Sequence, residues 1–203
     1  MKIAILGATG RAGTRLIMEL VTRGHQITGI SRHPEKLDAG AGVTAQYGDV
    51  QKPDELAKVL AGHDAVIHSV TFANSDAAKV VAAVKQAGVK RLLVVGGAGS
   101  LEVSPGVALI DTPGFPEEVK AEAGPGRDFL VALRKESDLD WTFLSPAIIF
   151  APGERTGKFR VGGDQLMTAP DGPSRISMED FAIAMADEID HPQHSRQRYS
   201  VAY

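Results

Sequence analysis

Cysteine is absent from the 203 residues. That absence excludes a disulfide framework, a thiolate metal site and a cysteine nucleophile, and it gives no reason to place the chain in an oxidising compartment. No uninterrupted apolar run approaches the ~20 residues needed to span a bilayer, and the apolar run near the amino terminus is broken at Gly7. This is the pattern expected of a soluble, cytoplasmic protein with no membrane partner. Charge of one sign does not dominate either: 22 basic side chains against 25 acidic ones leave a formal net charge of -3. Without a basic field there is no argument for a nucleic-acid partner, and a small molecule is the better candidate. The length suits a single domain over residues 1–203, as a monomer or a homodimer.

What the chain does have is concentrated at its start. Residues 3–13 read Ile-Ala-Ile-Leu-Gly-Ala-Thr-Gly-Arg-Ala-Gly, an apolar run followed by Gly7, Gly10 and Gly13. Leu16, Ile17, Leu20 and Val21 then follow at helical spacing, and Gly24 closes the pattern. This is a strand, a tight turn and a helix start. Gly7 suits a sharp strand exit, Gly10 lets a pyrophosphate approach the main chain, and Gly13 lets the helix lie close to the strand. The unpaired N–H groups and positive dipole end of such a helix hold an anion without a charged side chain. The turn therefore reads as a dinucleotide cradle, in a Gly-x-x-Gly-x-x-Gly variant of the commoner spacing. A triphosphatase loop fits less well, because Thr14 and Arg15 follow Gly13 where that motif needs Lys-Ser/Thr.

The rest alternates strands and helices. Strands are expected at residues 26–31, 43–47, 64–70, 91–95 and 141–144, with helices between them and a last helix running from a Ser177/Asp180 capping box to about Ile189. That alternation predicts a doubly wound α/β domain with a mainly parallel sheet of order 3-2-1-4-5-6 and helices on both faces. Residues 198–201 supply a short seventh strand. Gly124-Pro125-Gly126 is expected to break the helix before the sixth strand. Residues 97–116 and 151–176, rich in Gly and Pro, are expected to wall a substrate pocket.

In such a sheet the ligand lies across the carboxyl ends of the strands. An acidic residue at the tip of the second strand would bind the 2′-hydroxyl of NAD; this chain has Ser31 and Arg32 there, and Arg11 in the glycine loop. Two guanidinium groups suit the 2′-phosphate of NADP, so NADP(H) is preferred over NAD(H). Asp49 and Val50 end the third strand as candidate adenine contacts, although Asp49 equally suits a turn cap. Val70 and Thr71 after the fourth strand, Gly97 after the fifth and Pro146 after the sixth complete the cofactor-binding set with Gly7, Thr9, Gly10, Arg11, Ala12 and Gly13.

Tyrosine is scarce. The three are Tyr47, Tyr199 and Tyr203, so the helix after the fifth strand has none, and no Tyr-x-x-x-Lys proton donor can be built there. Ser100 is the remaining catalytic candidate, against the plainer role of satisfying loop backbone. His68 reads as either a catalytic group or a satisfied core histidine, and His191 and His194 sit in a polar turn with no preset carboxylate; no metal site is expected. Phe72, Phe115, Phe150 and Phe159 fall near the ligand edge and could stack on a flat acceptor or fill the core.

The glycine loop, the segment Val94-Val95-Gly96-Gly97-Ala98-Gly99-Ser100-Leu101, the Asp111-Thr112-Pro113 stretch and the ending Ile176-Ser177-Met178-Glu179-Asp180-Phe181-Ala182 together resemble atypical short-chain dehydrogenase/reductases. More narrowly, the chain is similar to the NADH-flavin reductase group, related to NmrA-like and biliverdin reductase B-like proteins. The resemblance covers nearly the whole chain. It implies a Rossmann fold, NAD(P)H held by Thr9, Gly10, Arg11 and Ala12, and hydride transfer to a flavin-like or quinone-like acceptor, which can take its proton from solvent. The alternatives are a non-catalytic NAD(P)H sensor of the NmrA type and a sugar-nucleotide epimerase-like enzyme; the latter is disfavoured by the missing tyrosine.

Overall fold

The computed structural model describes residues 1–203. Strand β1 (Lys2–Leu6) alternates its side chains between two cores, as period-2 geometry requires. Ile3 and Ile5 face helices α1 (Arg11–Thr22) and α5 (Met178–Asp190), where Leu16, Leu20, Phe181 and Met185 cover them. Ala4 and Leu6 face the opposite layer of α2 (Pro53–Leu60), α3 (Ala77–Gln86) and α4 (Glu117–Leu133), through Leu56, Val80 and Phe129.

The remaining strands are β2 (Gln26–Ser31), β3 (Val43–Tyr47), β4 (Ala65–His68), β5 (Arg91–Val95), β6 (Glu102–Ser104), β7 (Val107–Ala108), β8 (Asp140–Ser145), β9 (Ile149–Ala151), β10 (Arg160–Gly162), β11 (Arg175–Ser177) and β12 (Gln197–Ala202). The main sheet has eight strands in the order β10-β12-β8-β5-β4-β1-β2-β3. All its pairings are parallel except β10 with β12. The expected 3-2-1-4-5-6 order is therefore present, and the short seventh strand is a full parallel neighbour of β8. The chain leaves β1 toward β2 and β3, then returns on the other side of β1 at β4. That reversal opens a crevice at the carboxyl ends of β1 and β4. No helix is long and apolar enough to cross a membrane.

The structure differs from the expected elements in several places. The edge strand β10 and the small ribbons β6–β7 and β9–β11 lie in stretches read as loops. Helix α4 runs unbroken through Gly124-Pro125-Gly126. Pro125 is exposed on the outer face, while Gly126 packs so tightly that an added Cβ would lie 2.8 Å from the Phe72 ring. The glycine thus serves an interlayer contact, and the anchors Phe129, Leu130 and Leu133 carry the helix past its missing N–H. Helix α3 is capped by the Asp76 carboxylate, and the neighbouring Ser75 hydroxyl lies 2.8 Å from His68 Nε2 instead. At α5 only half a capping box forms. Ser177 Oγ accepts from the Asp180 N–H, but the buried Asp180 carboxylate accepts from Thr156, Gly157 and Tyr203 and ties the 151–158 segment to the helix.

His194 also departs from expectation, because a carboxylate does preset it. Glu188, 3% exposed, accepts from the His194 ring at 2.8 Å, from the His194 and Gln193 backbone N–H groups and from Arg91 Nη2 at 2.8 Å. Burial alone would raise the Glu188 pKa; the hydrogen bonds from His194 and Gln193 outweigh it and hold the carboxyl below its ordinary value near 4.5. A group depressed in this way contributes stability present above the unfolded value and lost as the pH falls through the folded one. Glu188→Gln is expected to cost about 3 kcal/mol at neutral pH and to flatten the acid limb of the Tm profile. Thermal unfolding between about pH 7 and pH 3 checks this, and an unaltered acid limb would assign the acid transition elsewhere.

Candidate functional site

At the end of β1 the chain turns at Gly7 with φ +79°, a conformation natural to glycine, and a Cβ there would lie 2.4 Å from the Ser69 carbonyl oxygen. A Cβ on Gly13 would lie 2.4 Å from the Gly7 carbonyl oxygen. Two missing side chains thus let α1 start directly against the backbone ends of β1 and β4. Gly10, exposed, is the N-cap of α1; its own N–H closes the turn on Gly7 O at 3.0 Å. No side chain caps this helix and its first turn holds no acidic residue. The N–H groups of Thr9, Arg11, Ala12 and Gly13 have no backbone acceptor. By contrast α3 and α5 have side-chain caps, from Asp76 and Ser177. The amino end of α1 lies at the sheet crevice, with several donors and a positive dipole end still to be satisfied.

Around this turn the strand tips place the other sequence-derived residues unevenly. Ser31 ends β2, where its hydroxyl accepts from the His33 N–H at 3.1 Å, and Arg32 follows it, exposed. Arg11 and Arg32 are the two arginines among twelve whose side chains make neither a hydrogen bond nor an ion pair. Asp49 does cap a turn, accepting from the Gln51 N–H at 2.9 Å, and Val50 is buried among the core residues of the α2 side.

A cleft of about 740 Å³ opens beside the glycine turn. Gly10, Arg11 and Ala12 form one end of it. Val70, Thr71, Gly97, Ser100 and Pro146 line it further along, so the structure brings these eight expected residues together. Gly7, Thr9, Gly13, Ser31, Arg32, Asp49 and Val50 lie outside its lining, under the turn or at the tips of β2 and β3. Residues from the 97–116 stretch wall the cleft, whereas residues 151–176 do not line it; those flank a separate shallow depression around Gly153, Thr156 and Arg175. Phe72, Phe115 and Phe150 do line the cleft, and Phe159 packs instead against the core on the α1 and α5 side.

Helix α4 contributes a cleft wall that was not foreseen. Val119, Glu122, Ala123, Gly126 and Arg127 project from one face, a spacing readable from the sequence once the helix is known to continue past Pro125. Glu122 is the single carboxylate in the lining, and it accepts from the Phe72 and Ala73 N–H groups at 2.7 and 2.9 Å. Ser100 is half-buried, with Arg198 Nη1 3.4 Å from its Oγ. Arg198 is buried and paired with Asp164; burial pulls its pKa below the ordinary arginine value. His68 is fully buried between Phe72 and Phe129, and desolvation pushes its pKa down to about 4. It is a neutral core histidine at pH 7. The cleft therefore contains no histidine, lysine or tyrosine. Such a lining can bind, align and shield a flat reactant, and its one carboxylate, Glu122, is engaged by two backbone N–H groups.

Comparison with known proteins agrees with this geometry. A family model described as NAD(P)H-binding matches residues 7–192. The Bacillus subtilis protein YwnB is 38% identical, with 99% of this chain aligned to 98% of that one. Among solved structures, a provisionally assigned epimerase from Bacteroides thetaiotaomicron superposes with TM-score 0.94 at 38% identity, covering 100% of this chain and 96% of that one. A provisionally assigned NADH-flavin reductase from Streptococcus pneumoniae superposes with TM-score 0.84 at 35% identity, covering 100% and 99%. With the glycine turn, the sheet reversal and the family match in agreement, the chain belongs to the NAD(P)H-binding Rossmann family.

Proposed function

We propose that this protein is an NADPH-dependent reductase that transfers hydride to a flat, carbonyl-bearing acceptor of the flavin or quinone class. The observation that carries the reading is a cleft that joins an uncapped helix terminus to an aromatic-lined chamber with no histidine, lysine or tyrosine and one carboxylate, Glu122, which is committed to backbone N–H groups.

The residues present fit a dinucleotide. The space in which side chains on Gly7 and Gly13 would clash is taken by backbone, so the turn lies flush with the strand ends, and its N–H groups remain to meet a pyrophosphate. Arg11 and Arg32, unengaged within the protein, would share the 2′-phosphate, while Ser31 offers a hydroxyl at the same strand tip. Thr9, Gly10, Ala12 and Gly13 would hold the pyrophosphate. Val70, Thr71, Gly97 and Pro146 would border the nicotinamide half, and Asp49 and Val50 the adenine. When bound, NADPH supplies the hydride: two electrons and one hydrogen pass to the acceptor, which gains its proton from water.

Phe115 and Phe150, both partly exposed in the cleft, offer rings on which a planar acceptor can stack, while Phe72 is packed into the core behind them; residues 97–116 and α4 wall the approach. Glu122 keeps the Phe72 segment fixed against α4. The same lack of a proton donor favours a second reading, a sensor that binds NADPH and acts through a protein partner without turnover. An epimerase reading is supported by the name of one structural neighbour but finds no acid–base pair in the cleft.

Arg32→Ala is expected to weaken NADPH binding about 10-fold, the loss of one charge-assisted contact, while leaving NADH within twofold; equal losses in calorimetry would remove Arg32 from the 2′-phosphate site. Gly13→Ala, which places a methyl against the Gly7 carbonyl, should abolish binding of both nucleotides with a modest fall in Tm. Steady-state oxidation of NADPH with FMN, FAD and menadione tests the reaction. Turnover with any of them supports the reductase, and tight nucleotide binding with no turnover on all three would replace it by the sensor.

A further inference from the structure

We infer that Arg198, a residue outside the cleft, is a positioning residue that fixes the Ser100 hydroxyl as a hydrogen-bond donor toward the acceptor carbonyl; the inference rests on the reductase reading. Strand β12 pairs with β8 so that Arg198 lies opposite Phe143 and Ser200 opposite Ser145, and the Arg198 side chain, 2% exposed, runs beneath the loop that follows β5. Its guanidinium reaches Ser100 twice, Nη1 to Oγ and Nη2 to the carbonyl oxygen, both at 3.4 Å. The other side of the fork is held by the Asp164 carboxylate and backbone carbonyl, and Asp164 is itself tethered by Arg134 at 3.0 Å.

The direction of the hydrogen bond follows from the chemistry of the two groups. A guanidinium has donors and no acceptor, so Ser100 Oγ accepts from it. One lone pair of the hydroxyl is thereby occupied, and its hydrogen must be given elsewhere. No side chain or backbone oxygen of the protein accepts it, and Ser100 borders the cleft. The open direction for that hydrogen is therefore the chamber where the acceptor would stack. A donor that is itself hydrogen-bonded to a cation is polarised and gives a stronger bond to a carbonyl that gains negative charge.

A buried arginine is costly to place in a sheet. Swapping a buried ion pair for apolar side chains is often neutral or stabilising, so packing alone gives little reason for a guanidinium at this position. The neighbouring Ser145 hydroxyl, buried and without a hydrogen-bond partner, adds to the polar surroundings beneath the same loop. The arrangement favours acceptors with a ring carbonyl near the hydride-accepting atom, which flavins and quinones share, over acceptors that lack an oxygen there.

The test compares the native protein with Ser100→Ala, Arg198→Met, Arg198→Lys and the Ser100→Ala/Arg198→Met double variant, by two readouts. The first is affinity of the NADP-loaded protein for oxidised FMN and for menadione; the second is kcat with the same acceptors. Ser100→Ala and Arg198→Met are each expected to lower acceptor affinity or kcat about 10-fold. NADP affinity should stay within twofold, the double variant should be no worse than Ser100→Ala alone, and Arg198→Lys should retain part of the effect with a native-like Tm. Additive losses in the double variant, or an Arg198→Met protein that binds both acceptors normally, would overturn the role of Arg198. Acceptor binding without turnover in the native protein removes the reductase reading while the affinity comparison still decides Arg198. A native protein that neither binds nor reduces either acceptor overturns both.

Discussion

The contact on which the site depends is the one between Gly13 and Gly7. Helix α1 begins close enough to the end of β1 that the Gly7 carbonyl occupies the place of a Gly13 side chain, and Gly7 itself fits against the backbone leaving β4. Because those approaches are backbone against backbone, the first N–H groups of α1 are aimed at the reversal of the sheet between β1 and β4. A methyl at either glycine would lift the helix, and the donors would no longer converge on the crevice. The cleft beyond would still exist, but without the ring of N–H donors at its edge.

Much of this was legible before the structure. The three glycines, the apolar run before them and the helical spacing after them give strand, turn and helix, and the alternation of later segments gives the order of the first six strands. Local patterns carry such information well because strand and helix periods are properties of the chain itself. Other features were hidden because they depend on partners far away in sequence. Pro125 reads as a break until Gly126 is seen under Phe72, and the helix face at Val119, Glu122, Ala123 and Gly126 becomes a cleft wall only when α4 is whole. Residues 151–176 carry the composition of a pocket loop, yet their backbone is secured by Asp180 and Glu179 away from the main cleft. Arg198 gave no local signal, since its meaning lies in a hydroxyl 98 positions earlier.

The division of labour within the sheet is also clear. At the carboxyl ends of the strands polar groups are left without partners or turned toward open space. At the opposite ends, Glu188 gathers Arg91, His194 and two backbone donors, and only the Arg91 Nε of that cluster is left without a partner. The buried Glu188 carboxylate is thus paired where the fold is closed, while the N–H groups at the start of α1 are left open where a ligand would sit. Neutral His68, enclosed by phenylalanines beside the cleft, belongs to the closed part despite its position.

Pro125 has one more consequence. Lacking an N–H, it leaves the Ala121 carbonyl without its helical donor, so the ladder of α4 is one rung short where the helix borders the chamber. Before the gap the helix is held by Glu122, and just after it by the exposed pair between Arg127 and Asp111. The glycine-turn end of the groove is framed by parallel strands instead. Any adjustment of the groove to what enters it would thus fall on α4 rather than on the glycine turn.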